Sequence, residues 1–116
     1  MFKKDDIANL NNIIWAIQRI EKSISGIKSV EELVVLEEKF DSIVVMLMNI
    51  GESAYNLSEE LKYKNSDVDW NGMYKMRNII THSYHSLDET IVWDIILNEL
   101  PEDKIAVEKL LQKMMN

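Results

Sequence analysis

Between residues 77 and 85 the chain sets Arg77, Asn78, His82, Tyr84 and His85 within about two helical turns. Arginine presents a rigid fork of donors that suits a phosphate. Histidine, with an ordinary pKa near about 6.5, exchanges a proton at neutral pH. A phosphate holder and a proton carrier are the minimum for cutting RNA through its own 2′-hydroxyl. The base takes the 2′ proton, the 2′ oxygen attacks the adjacent phosphorus, and a cation stabilises the crowded phosphorane. That reaction needs no metal. Spacing alone leaves a second reading open, a solvent-exposed histidine with no chemical role.

At about 100° per residue, Met73, Met76, Ile79 and Ile80 share one helical face and form the core side. Asn78, His82 and His85 fall in a row on the opposite side, while Arg77 and Tyr84 lie together on the flank. Arg77 and His82 are then about 140° apart on one helix. That separation is awkward for one subunit and is removed if two copies of the helix face each other across a dimer.

The elements that must position this stretch all read as helices. Ile7, Leu10, Ile13, Ile14, Ile17, Ile20, Ile24 and Ile27 recur at steps of three and four, which predicts a first helix over 4–27 that stops near Gly26. Trp15 lies at the edge of that stripe, placed for edge packing or a subunit contact. Ser29 to Glu32 has capping-box spacing and opens a second helical region over 30–63, with a bend or break near Glu37–Phe40. Its middle, Ile43 to Met48, is apolar nearly all round, which in a domain this small points to a second subunit. Gly51 lies within that helix, where glycine costs about 1 kcal/mol relative to alanine, so close approach of another backbone is expected there. Glu52 beside it is a candidate buried acid with a specific partner, or else an ordinary solvated glutamate.

Residues 64–69 form a polar loop, and Trp70 opens a third helix to about Ser83. Ser86 to Glu89 resembles another capping box and opens a fourth helix to about Leu100, while Pro101 suits the first position of a fifth. With one proline, three glycines and no strand pattern, the expectation is a single all-α domain over residues 1–116, a five-helix bundle.

Composition narrows the functional classes. There is no cysteine, which excludes disulfides and a thiolate zinc site. The formal net charge of −7 argues against a broad, sequence-blind nucleic-acid binder. Between Lys62 and His85, however, Lys62, Lys64, Lys75 and Arg77 face only Asp67 and Asp69, so a local anion site fits on an acidic protein. No signal peptide or membrane span is read, and a cytoplasmic location is expected. His82, His85 and Asp88 do not have recognised metal-ligand spacing, and Asp88 and Glu89 are better used at a helix start. No metal or cofactor is expected.

The run Arg77-x-x-x-x-His82-x-Tyr84, with Asn78 after the arginine, resembles the signature of HEPN domains, and more narrowly that of the HepT toxins of HepT/MntA toxin–antitoxin systems. Ile50-Gly51-Glu52-Ser53-Ala54 is similar to the family's Gly-Glu-Ala segment. Trp70, Ile91 to Ile96 and Leu100-Pro101 extend the resemblance over nearly the whole chain. The resemblance implies a five-helix HEPN fold, a homodimer with paired motifs at its interface, and a metal-independent endoribonuclease acting on tRNA or mRNA. Arg77 and His82 would be the catalytic pair, assisted by Asn78. It also implies an antitoxin partner, a minimal nucleotidyltransferase of the MntA kind, that silences the toxin by transferring AMP to Tyr84. Ser83 and His85 stand where relatives often carry an acidic and an aromatic residue, which makes His85 an auxiliary proton carrier or RNA contact. The alternative is a HEPN dimer without nuclease activity that serves as partner or substrate-binding subunit of a nucleotidyltransferase.

Overall fold

The isoleucine stripe of the first segment folds into α1 (Lys4–Ser23), whose Leu10, Ile13, Ile17 and Ile20 are fully buried. The structure, a computed structural model, describes residues 4–82 and 88–116, with the side chains of 4 and 79–82 outside that description. After α1 come α2 (Val30–Val34), α3 (Glu37–Tyr55), α4 (Glu59–Lys64), α5 (Trp70–His82), α6 (Glu89–Asp94), a π-helical turn (Ile95–Glu99) and α7 (Leu100–Met115). The described residues contain no strand, and the architecture is all-α as expected. α3 is the central rod: it packs against α5 on one side and α1 on another, and α1 in turn packs on α7. No described helix is long and apolar enough to cross a membrane.

The helix boundaries differ from the sequence reading in three places. The first helix ends at Ser23 rather than at residue 27, and Gly26 follows in a left-handed turn at φ 85° that glycine adopts without steric cost. The expected second helix is interrupted twice. One break falls at Leu36, next to the expected bend, where the chain starts α3 without a side-chain cap. The other, at Asn56–Ser58, was not expected. Ser58 accepts the Leu61 N–H at 3.2 Å and so caps α4. The buried Asp6 of α1 takes the Ser58 N–H at 2.8 Å and the Ser58 hydroxyl proton at 2.6 Å. A carboxylate 52 residues away thus fixes where one helix stops and the next begins.

The third difference lies at Pro101. The expected fourth and fifth helices are not separated, because α6, the π turn and α7 follow without a loop. Proline has no N–H to give to residue 97 and its ring would strike that carbonyl in a regular α-helix. One π turn widens the ladder there, with the Leu100 N–H reaching back to the Ile95 carbonyl. The start of α6 is capped by Asp88, which accepts the Thr90 N–H at 2.9 Å; Ser86, the expected cap, lies outside the described residues.

α7 carries a buried carboxyl. Asp103 is 8% exposed, and burial, reinforced by Asp69, Glu99 and Glu102, pushes its pKa up to about 7. The folded state therefore holds this proton more tightly than the unfolded chain does. The penalty for ionising it is absent at acid pH, grows as pH rises above the ordinary carboxyl value of 3.8, and is complete above about 7. Asp103→Asn removes that penalty. Its stability gain over the wild type is expected to be about 2–4 kcal/mol larger at pH 8 than at pH 4, measured by urea unfolding at both. An equal gain at the two pH values would rule the account out.

Candidate functional site

α3 and α5 meet where Gly51 faces Arg77. A Cβ at Gly51 would lie 2.6 Å from the Arg77 Cβ and 2.8 Å from its backbone nitrogen. The mid-helix glycine is therefore explained as expected, by close approach of another backbone, and that backbone is α5 at its arginine. Met73 and Met76 point into the core as their spacing predicts, and are 0% and 2% exposed.

This contact sets the register of what lies beside it. Glu52, the next residue on α3, meets Arg77 with Oε2 2.6 Å from Nε. Tyr55, four residues past Gly51, brings its ring under the guanidinium at 5.5 Å. Tyr74, three residues before Arg77, adds a second ring at 6.0 Å. The two rings stack on each other at 5.2 Å with 24° between their planes. Arg77 is thus held by a carboxylate from one direction and by two aromatic rings from another.

The Glu52 and Arg77 side chains are 49% and 35% exposed. Glu52 has the specific partner expected of it, but it is not the buried acid of the first of its two readings. At this exposure the ion pair contributes only about 0–1 kcal/mol to stability. Its larger effect is orientational. Glu52 meets the guanidinium at Nε rather than at either of the two terminal nitrogens of Arg77. These are the nitrogens that form a bidentate fork toward a phosphate.

Asn78 follows on α5 and is half-buried. His82 closes α5, and its side chain lies outside the described residues. Tyr84 and His85 lie wholly outside them. The structure thus joins Glu52 and Arg77, with Asn78 the next residue of α5. Tyr55 and Tyr74 were not anticipated. The signal was available in hindsight: with Gly51 as the contact point, a Tyr four residues on and another three residues before the arginine fall on the same side of the crossing.

Two expected subunit-contact features are exposed in the single chain. Trp15 is 47% exposed with the Arg19 guanidinium 5.2 Å over its ring, and Val45 of the apolar middle of α3 is 51% exposed.

Comparison with known proteins agrees with the segment pattern. The family described as "Ribonuclease HepT-like" matches residues 13–110. The chain is 33% identical to "Putative RNase TTE0752" of Caldanaerobacter subterraneus subsp. tengcongensis, over 90% of this chain and 92% of that one. It is 28% identical to "Probable ribonuclease HepT" of Thermococcus cleftensis, over 87% and 91%. It is 32% identical to "Putative RNase MJ0127" of Methanocaldococcus jannaschii over a shorter stretch, 61% and 59%. No solved structure matches.

Proposed function

The chain belongs to the HepT-like ribonuclease family, and from that premise we propose that it is an endoribonuclease that cuts RNA by 2′-hydroxyl attack, without a metal. The observation that carries the reading is the setting of Arg77. Its Nε meets Glu52 and its guanidinium lies against Tyr55 and Tyr74, contacts that hold the side chain and support reading its terminal nitrogens as a phosphate fork. In this reading Arg77 neutralises the phosphorane and His82 moves the 2′ proton, with Asn78 supplying a donor to the same phosphate. Glu52 is a positioning residue. Two copies of α5 brought together in a homodimer bring the Arg77 of one toward the His82 of the other. Half-exposed Val45 and Trp15 supply apolar surface of the kind such pairing covers.

The same reading includes control by a partner. A nucleotidyltransferase encoded with this chain would transfer AMP to the Tyr84 phenol, releasing pyrophosphate. Adenylate on Tyr84, seven residues after Arg77 in the sequence, would add a bulky anion that competes with RNA phosphate for Arg77. The protein would then act as the toxin of a toxin–antitoxin pair in the cytoplasm, with tRNA or mRNA as substrate.

The purified protein is expected to cleave single-stranded RNA in EDTA and to leave 2′,3′-cyclic phosphate ends, read by mass spectrometry of the products. Intact RNA under these conditions, from protein free of AMP, would instead favour a HEPN dimer that serves its nucleotidyltransferase partner without cutting.

A further inference from the structure

Tyr55 and Tyr74, the two rings against Arg77, also line an open cleft of about 730 Å³. It runs between the end of α3, α4, the 64–69 loop and the start of α5, and its volume falls in the roughly 300–1,000 Å³ range of ligand clefts. Trp70 closes part of its wall, its indole N–H fixed to the Asn65 carbonyl at 3.0 Å. Tyr63 lines it too and is 85% exposed. Four aromatic side chains around one cleft, one of them almost wholly in solvent, need an occupant with a flat face.

The charges around the cleft decide which flat face. Lys62 is tied to Glu59 at 3.1 Å. Asp69 takes the Gly72 N–H at 2.9 Å at the start of α5. Asp67 adds a further carboxylate to the lining. A wall with this excess of carboxylates repels phosphate but accepts hydrogen bonds from an exocyclic amine. The fixed cation, Arg77, stands just outside, behind the tyrosine stack.

We infer that this cleft is a nucleobase subsite: it takes a base flanking the phosphate held by Arg77, stacks it on Tyr63 and the Tyr55–Tyr74 pair, and favours amine-bearing bases over uracil through Asp67. The inference rests on the ribonuclease reading above and adds to it a source of base preference. Phosphate and base are divided between neighbouring surfaces, one cationic and one aromatic with acidic edges. Single-stranded RNA, whose bases splay away from the backbone, can occupy both at once.

The test uses the full chain and short RNAs with a single cleavable step, the other riboses being 2′-O-methylated. The base on each side of that step is varied among A, C, G and U. At one flank, cytosine is expected to give a kcat/KM about tenfold above uracil. Tyr63→Ala, at a side chain too exposed to endanger folding, raises KM about tenfold. Asp67→Asn reduces the cytosine-over-uracil ratio to below about threefold. Cleavage without base preference, and with KM unmoved by both variants, would overturn the subsite while leaving the ribonuclease reading standing. A second arm needs no cleavage. Fully 2′-O-methylated RNA carrying 2-aminopurine loses fluorescence when the base stacks on an aromatic ring. Quenching by the wild type that takes about tenfold more Tyr63→Ala to match, in a protein that cuts nothing, would support the base subsite and remove the nuclease reading. Equal quenching by both proteins would count against the subsite.

Discussion

Arg77→Ala is expected to lower RNA cleavage by about 10²- to 10³-fold, the usual cost of removing a group aimed at transition-state charge. The fold should survive. The Arg77 ion pair is half in solvent and adds about 0–1 kcal/mol, and the alanine keeps the Cβ that packs against Gly51. Loss of the two cation–π contacts costs about 0.5–1 kcal/mol each. Circular dichroism and gel filtration should therefore match the wild type while single-turnover cleavage collapses. Arg77→Lys separates charge from geometry. An ammonium is one point charge, and Glu52 sits where it would claim it, whereas in the proposed mechanism arginine serves Glu52 with Nε and a phosphate with its other nitrogens. Arg77→Lys should thus fall well over tenfold, and adding Glu52→Gln should recover part of that loss by freeing the ammonium. Full cleavage by Arg77→Ala would sink the mechanism.

What was readable in the sequence follows from the range of each interaction. The buried faces of α1 and α5 repeat every three to four residues, so spacing alone assigns Leu10, Ile17 and Met73 to the core. Gly51 was readable as a place of close approach because a mid-helix glycine carries a cost that needs a reason. Which chain approaches it was not readable. That depends on the crossing of α3 and α5, residues 26 positions apart, and only the crossing makes Tyr55 a neighbour of Arg77 and stacks it on Tyr74. The break between α3 and α4 has a local signal in Ser58 followed by Glu59 and Glu60, but the apolar period runs through it from Ala54 to Leu61, and the Asp6 carboxylate that holds Ser58 comes from α1. At Pro101 the misreading was of a different kind. Proline signals a helix start or a break with equal local force, and here a π turn absorbs it within a continuous run of helix.

Gly51→Ala is expected to damage cleavage far more than stability. The new methyl group meets Arg77 at its Cβ and backbone nitrogen, at 2.6 and 2.8 Å, so rotating the arginine side chain gives no relief. α5 has to shift or tilt away from α3. Overpacking of this kind costs about 1–3 kcal/mol, partly offset by up to about 1 kcal/mol of better helix propensity. The variant should unfold at lower urea but remain folded at 25 °C. Arg77, however, is the point of contact, so the whole displacement falls on the guanidinium and its Glu52 and tyrosine supports. A misplacement of about 1 Å is enough to cost roughly 100-fold in rate. Double-mutant kinetics tests whether the loss passes through Arg77. Gly51→Ala in an Arg77→Ala background should cost little further activity, because the group it misplaces is already gone, while the stability cost persists because alanine retains the Cβ. A full additional 100-fold loss in that background would mean that Gly51 acts on cleavage by a route other than Arg77, and the positioning role given to the α3–α5 contact would fall.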